Sequence, residues 1–301
     1  MPTSKPPILI LLTGASGQLG RELVALLTLD DGVELIGLSH QDLDITDSEA
    51  VLKKIVDLNP DVIINAAAFT DVEAAESLCE LAHQINCTGA GNLANASNAI
   101  GAGLIHVSTD YVFDGKKLTA YCETDNTNPL NQYGLSKLAG EQAVESLCQK
   151  HIIIRSSSLF SATSKNFCRT MLQLGISRSS INVVSDQITG PTSALDLAHG
   201  VIVIAKEIVK WSMNSEKWGV YHFCGEPYGS WYELAEKVIQ LQSTKVPLTP
   251  NLVIQPILAK NYQSEVIRPA FSRLDNRKID NVFGIKPSNW QKALTEIDFK
   301  L

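Results

Sequence analysis

The chain has 301 residues, 45% of them hydrophobic and 19% charged, with a formal net charge of −7 at pH 7. These proportions describe a folded globular chain, long enough for one broad domain or two lobes, and exclude a disordered one. The acidic balance lacks any Lys/Arg cluster and no run approaches the roughly 20 apolar residues of a membrane span, so neither nucleic acid nor membrane is an expected partner.

Met1 to Pro7 is polar and proline-rich, with no apolar leader segment. From there short β-branched runs alternate with helical patterns. "PILILLTG" reads as a buried strand, and Leu19, Leu23, Leu26 and Leu27 recur at helical spacing over residues 18–28. "VELIGLS" is a second strand. Thr46 or Asp47 can cap a helix over 48–58, which Asn59-Pro60 ends. "DVIINAAA" is the third strand, followed by a helix over about 77–101. "GLIHVSTD" is the fourth, followed by a helix over about 131–149, and "HIIIRSS" is the fifth. This rhythm predicts an α/β fold with a doubly wound parallel sheet, covered by helices on both faces.

After Ser157 the rhythm breaks. Residues 166–175 look helical, "INVVSDQITGPT" mixes strand and turn signals, and Ala194 to Lys210 is an apolar helix pattern. "GVYHFCG" is another strand, Ser230 with Glu233 makes a capping box, and 247–269 reads as extended and loop-like. The expected organisation is a first domain over 1–155 and a smaller, irregular C-terminal lobe over 156–301, with some later elements returning to the first domain. The six cysteines (Cys79, Cys87, Cys122, Cys148, Cys168, Cys224) have no C-x-x-C spacing. Most of them read as small core residues of a cytoplasmic protein.

Gly14, Gly17 and Gly20 follow the first strand and open the first helix, which is the context of a dinucleotide-binding loop. Gly14 permits the turn, Gly17 lets the backbone approach a pyrophosphate and Gly20 lets the helix pack on the strand, with helix N-terminal amides facing the phosphates. The spacing is G-x-x-G-x-x-G, and a plain strand-to-helix turn is the alternative reading of the loop alone. The second strand ends Gly37-Leu38-Ser39-His40 with no acid to bond a ribose 2′-hydroxyl. That favours NADP(H) over NAD(H), with Arg21 available to a 2′-phosphate. Asp44, with its neighbour Ile45, is better placed for the adenine edge.

"NQYGLSKLAGE" holds Tyr133 and Lys137 four apart on one face of a helix. A phenol with a pKa of about 10 is a poor acid near neutral pH, and a neighbouring ammonium lowers that value. The same lysine can bond the nicotinamide ribose. Ser108, Thr109 and Asp110 close the fourth strand, at the sheet end where such folds place their sites. Thr109 can bond a substrate carbonyl beside Tyr133, and Ala66, Ala67 and Ala68 leave room for a flat cofactor.

"TGASGQLG", "DVIINAAAFTDVEAAE", "HVSTDYVFDG", "NPLNQYGLSKLAGE", "VVSDQITGPT" and "SEVIRPAFSRLD" together resemble the dTDP-4-dehydrorhamnose reductase family of the extended short-chain dehydrogenases. The resemblance implies a Rossmann-type lobe, a sugar-nucleotide lobe, and reduction of the C4 ketone of dTDP-4-dehydro-6-deoxy-L-mannose. It further implies Tyr133 as proton donor, Lys137 as its tuner and Thr109 as a hydrogen-bonding partner of the reacting oxygen. Gly17, Gln18 and Leu19 would line the pyrophosphate and Ala67 and Ala68 the rest of the cofactor, with Asp110 and Ser158 on the substrate. Tyr111 stands where related dehydratases have Glu, which speaks against elimination. Two departures stand out. Ser158 replaces a family tryptophan that packs on the sugar, which leaves the nucleotide sugar open. Glu22 matches one glutamate of a magnesium site found at a dimer interface in some relatives, but the region of Leu195 and Asp196 lacks another. No metal is therefore expected, and a homodimer is kept as a candidate assembly. Two alternatives stay open: a non-catalytic regulatory subunit like that of methionine adenosyltransferase, and an epimerase or epimerase-reductase on a related nucleotide sugar.

Overall fold

The computed structural model describes residues 6–299; residues 1–5, part of the stretch expected to carry no leader segment, and residues 300–301 lie outside the described residues. Its contacts separate two compact units, each built from three stretches of chain. Unit 1 takes the chain up to Thr109, then Gln132–Arg155 and Ala198–Tyr221. Unit 2 takes Asp110–Asn131, Ser156–Leu197 and the chain from His222 onward.

In unit 1 the apolar runs become β1 (Ile8–Thr13), β2 (Val33–Leu38), β3 (Val62–Asn65), β4 (Gly103–Thr109) and β5 (His151–Ser156). With β10 (Gly219–His222) they form a six-stranded parallel sheet in the order β10-β5-β4-β3-β1-β2. The chain crosses from β1 to β2 on one side and returns to β3 on the other. The strand order therefore reverses at β1, the switch point at which open α/β sheets bind ligands beyond their carboxyl ends. α1 (Gln18–Leu27) buries Leu19, Leu23 and Leu27, the stripe its spacing predicts. α2 (Ser48–Leu58) starts at Asp47, whose carboxylate accepts from the Glu49 and Ala50 amides, and stops at Asn59 in the left-handed region. One core joins Leu11, Ile63, Leu104 and Ile153 of the sheet to Ala90, Leu93 and Val144 of the helices above it.

The single helix expected over 77–101 is four pieces: α3 (Val72–Ser77), α4 (Cys79–His83), a π-helical turn (Gln84–Gly89) and α5 (Ala90–Ile100). It begins earlier than expected because Asp71 caps it through the Ala74 amide. The π turn carries Asn86, which is 1% exposed and finds partners on two other segments, Phe69 and Ser136. α6 (Gln132–Leu147) packs across this turn, with Gly140 so close to the Asn86 carbonyl that a Cβ would lie 2.1 Å from it.

Unit 2 is assembled from short pairings. β6 (Leu159–Phe160) runs parallel to β9 (Thr192–Ser193), and β8 (Ile188–Thr189) antiparallel to β12 (Gly229–Ser230). β11 (Gly225–Glu226) joins β14 (Ser288–Asn289). β7 (Ser180–Val184) pairs with β13 (Val253–Ile257), a strand inside the stretch expected to be loop-like. α7 (Phe167–Ser177), α9 (Trp231–Gln242) and α11 (Trp290–Glu296) close a core of Phe160, Cys168, Leu172, Leu234, Trp290 and Leu294. The Ser230–Glu233 capping box is formed. α10 (Arg277–Phe283) lies in this unit, and α8 (Ala194–Ile208) carries the chain from one unit into the other. Among the described residues no helix is long and apolar enough to cross a membrane, and all six cysteines are unpaired.

Candidate active site

The glycine loop sits at the reversal point of the sheet. Gly14 has φ +75°, and a Cβ there would lie 2.5 Å from the Ala67 amide nitrogen, so only glycine lets β1 turn against the end of β3. At Gly20 a Cβ would fall 2.1 Å from the Gly14 carbonyl, and α1 seats on the loop for want of one. Gly17 is the N-cap of α1 and brings no side-chain acceptor, and no acid stands in the first turn. The N–H groups of that turn and the positive helix end are thus offered to an external anion, a donor set that fits a dinucleotide's pyrophosphate. Gln18 is half-buried and Leu19 packs inward, so Leu19 offers the loop its backbone only. Arg21 is exposed and bends back to donate from Nε to the Ser16 carbonyl at 2.9 Å.

At the end of β2 the fold supplies an acid that the strand itself lacks. Asp42 accepts from the Ser39 amide at 2.8 Å and from the Ser39 hydroxyl at 2.6 Å, and these bonds, the hydroxyl's foremost, hold its carboxyl below the usual range. Asp44 is exposed and held low in the same way by the amide and hydroxyl of Thr46. Ile45 is 5% exposed and belongs to the core, and His40 is exposed.

Behind the loop, Thr13, Asn65 and His106 are register partners on β1, β3 and β4. The Thr13 hydroxyl donates to Asn65 Oδ1 at 2.9 Å, the Ala67 amide donates to the same oxygen, and Asn65 Nδ2 lies 3.0 Å from His106 Nδ1. An amide donor on Nδ1 makes His106 a neutral imidazole protonated at Nε2. Burial drives its pKa well below the ordinary value, with the Lys137 charge adding to the effect. Ala66, Ala67 and Ala68 are half-buried on this floor.

Thr109 is the buried last residue of β4, and Tyr133 lies half-buried in the first turn of α6, which packs on β4. Lys137, one turn on, is 2% exposed, and its ammonium donates to the Val107 carbonyl at 2.7 Å. Desolvation lowers its pKa to about 8, against the opposing pull of Glu141. Glu141, a further turn along, accepts from the Ser108 hydroxyl at 2.5 Å and from Arg155 Nη2 at 2.6 Å. Asn86 bridges the amide and carbonyl of Phe69 to the Ser136 hydroxyl, which itself donates to the Tyr133 carbonyl. Asn65, His106, Asn86, Glu141 and Arg155 all escape the sequence reading. For Glu141 a signal was present in its spacing, four residues beyond Lys137.

In unit 2, Asp110 and Tyr111 line a shallow recess with Ser158, Gln187, Thr189, Trp231, Arg268 and Ser272. Ser158 has φ +47°, uncommon for a non-glycine residue, and its hydroxyl lies 2.7 Å from that of Thr189. β12 pairs with β8 and delivers Trp231 at the start of α9, where its ring stands 4.7 Å from that of Phe167. The segment after Arg268 runs beside β8: the Ile188 amide donates to the Ala270 carbonyl and the Ser272 amide to the Ile188 carbonyl. Arg268 Nη1 donates to the Ser264 hydroxyl at 2.8 Å. Trp231, Gln187 and Arg268 had no periodic signature to mark them as site residues.

The family model described as the RmlD substrate binding domain matches residues 8–299. The chain belongs to the dTDP-4-dehydrorhamnose reductase family. A dTDP-4-dehydrorhamnose reductase of Aggregatibacter actinomycetemcomitans is 43% identical over 293 residues, 96% of this chain and 97% of the relative. The crystal structure of a dTDP-4-dehydrorhamnose reductase from Clostridium acetobutylicum superposes with a TM-score of 0.88 at 36% identity, covering 96% of this chain and 98% of that one. A Bacillus anthracis dTDP-4-dehydrorhamnose reductase in complex with NADP gives 0.87 at 33% identity, covering 97% and 98%. The protein is an NAD(P)H-dependent oxidoreductase with the Rossmann-like sheet of this family. No group of three or more His, Cys, Asp or Glu among the described residues is arranged to hold a metal ion. Glu22, on α1, has its carboxyl pKa raised by burial, and Asp196 Oδ2 accepts from the Ser288 hydroxyl.

Proposed function

We propose that the protein reduces the C4 ketone of dTDP-4-dehydro-6-deoxy-L-mannose to give dTDP-L-rhamnose, with NADPH preferred and NADH the second choice. The observation that carries this reading is Lys137, fully buried and anchored on Val107, one helical turn from Tyr133. A lysine is placed this way at the cost of its hydration, and a phenol that must become a proton donor near neutral pH gives a reason for it. The intact set of Thr109, Tyr133 and Lys137 supports catalysis over a regulatory role.

Unit 1 holds the dinucleotide. The amides of Gly17, Gln18 and Leu19 would hold the pyrophosphate, Ser39 and Asp44 the adenosine end, and Ala67, Ala68, Tyr133 and Lys137 the nicotinamide ribose. When bound, the reduced nicotinamide supplies the hydride that C4 gains. Tyr133 then gives its phenolic proton to the oxygen at C4, so ketone, hydride and proton make the alcohol. Lys137 stabilises the phenolate left behind, and Thr109 bonds the reacting oxygen. Unit 2 recognises the sugar nucleotide: the hydroxyls of Ser158 and Thr189 and the Asp110 carboxylate suit sugar hydroxyls, Trp231 gives an apolar wall, and Arg268 offers a cation to the anionic substrate. The unpaired cysteines support a reducing, cytoplasmic setting.

The test is direct. The protein is mixed with dTDP-4-dehydrorhamnose and NADPH or NADH, and the absorbance of the reduced nicotinamide is followed while product is identified. Loss of absorbance with formation of dTDP-L-rhamnose is expected. Cofactor binding without turnover overturns the proposal.

A further inference from the structure

Lys137 and Arg155 are the only lysine and arginine buried below a tenth exposure among the described residues of unit 1, and Glu141 is the only carboxylate. The three converge at the carboxyl end of β4. Arg155, at the end of β5, meets Glu141 with Nε 3.0 and 3.1 Å from its two oxygens and Nη2 at 2.6 Å. Ser108, next to Thr109, donates to the same carboxylate. Glu141 is four residues from Lys137, so their side chains leave one face of α6 a single turn apart.

We propose that Glu141 and Arg155 are positioning residues that set the charge state of Lys137, with the carboxylate holding the proton on the lysine and the guanidinium opposing it. The proposal rests on the reading of Lys137 as the partner of Tyr133. A buried pair that served packing alone would be replaceable by apolar residues, often without loss. This pair is instead joined to the strand whose carbonyl holds the lysine. With Lys137 charged, the cluster holds two cations and one anion, so each partner acts on the lysine's proton with opposite sign.

The other titratable groups around α6 are neutral, exposed or bonded elsewhere. On β4, His106 is a neutral imidazole bonded to Asn65. Tyr133 precedes Lys137 by one turn. Glu76 on α3 accepts from the Gln132 amide at the start of α6. Cys87 in the π turn is half-buried with its thiol pKa raised by burial, so it stays uncharged. Glu73, Cys79, Glu80 and His83 are exposed, and His151 at the start of β5 is bonded to the Cys148 carbonyl.

The experiment follows the ε-carbon of ¹³C-labelled lysine by NMR across pH in the full chain, with the Lys137 signal assigned by its loss in Lys137→Met. The wild-type midpoint is expected near 8. Glu141→Gln should move it down and Arg155→Gln up, each by about one pH unit, or tenfold in proton affinity. Arg155→Lys, which keeps the charge and loses the fork, should leave it within about 0.3 units. The high-pH limb of turnover should move with the NMR midpoint. Shifts of both neutral variants in one direction, or no shift in either, overturn the proposal. If Glu141→Gln does not fold, the two Arg155 variants decide: a raised midpoint in Arg155→Gln alone supports it, and an unmoved or lowered one overturns it. The titration needs no substrate, so it fails or succeeds apart from the reductase reading, which Tyr133→Phe turnover tests.

Discussion

Unit 1 and unit 2 bury polar groups in opposite styles. In unit 1 they are locked in pairs across regular elements: Thr13 to Asn65, Asn65 to His106, Glu141 to Arg155, Lys137 to Val107. In unit 2 the recess is lined from a turn, two-residue strands and the start of a helix, with hydroxyls, an amide, a carboxylate and a guanidinium side by side. The difference fits the division of labour proposed above. Proton transfer depends on one fixed geometry, whereas recognition of a polar sugar is spread over several modest contacts. Substitutions in unit 1 should therefore act on kcat and those in unit 2 on KM.

The sharpest break of that contrast is at Tyr133. Tyr133→Phe is expected to lower kcat by about 10²- to 10⁴-fold, the usual worth of a positioned acid, with cofactor affinity by fluorescence titration nearly unchanged. In unit 2, Trp231→Ala should raise KM for the nucleotide sugar roughly tenfold to thirtyfold and leave kcat within about threefold, as steady-state kinetics will show. A fall in kcat as large as that of Tyr133→Phe would erase the distinction.

The pH profile sharpens the unit 1 side. Burial brings the Lys137 pKa from 10.5 down to about 8, so the ammonium is present below that value and lost as pH rises through it. Ketone reduction should be level below pH 8 and fall about tenfold per unit above it, measured in initial rates with saturating substrate. The smallest effect is at the adenosine end. Asp42→Asn removes a carboxylate beside Ser39, and the ratio of NADPH to NADH efficiency should rise about threefold through lost repulsion of a 2′-phosphate.

Legibility in the sequence follows the same line between the units. The strands and most helices of unit 1 are visible because a covered parallel sheet demands unbroken apolar runs, and Gly14 and Gly20 because a close backbone approach admits nothing else. The π turn is invisible to a helical period, and its Asn86 meets Phe69 and Ser136, residues 17 and 50 positions away. Asp42 is missed because it reaches Ser39, just past the end of β2, by folding back from three residues further on. β13 is missed because its partner, β7, lies about 70 residues earlier and its burial is only partial. Trp231 follows a capping box that was readable, but what it faces depends on β8 and the segment after Arg268.

The Thr13–Asn65–His106 line has a mechanical consequence. Parallel strands held by their backbone ladder alone can slide slightly along one another, whereas a side-chain tie at matched register resists that shear. Three neighbouring strands are braced here at the end from which the Gly14 turn, the Ala66–Ala68 floor and Thr109 all extend. Because Asn65 also accepts from the Ala67 amide, the brace reaches into the floor itself. The loop, the floor and the threonine are thereby mounted on one braced sheet end, so that under the proposed reaction the precise placement that hydride and proton delivery demand would come from the sheet rather than from the loops above it.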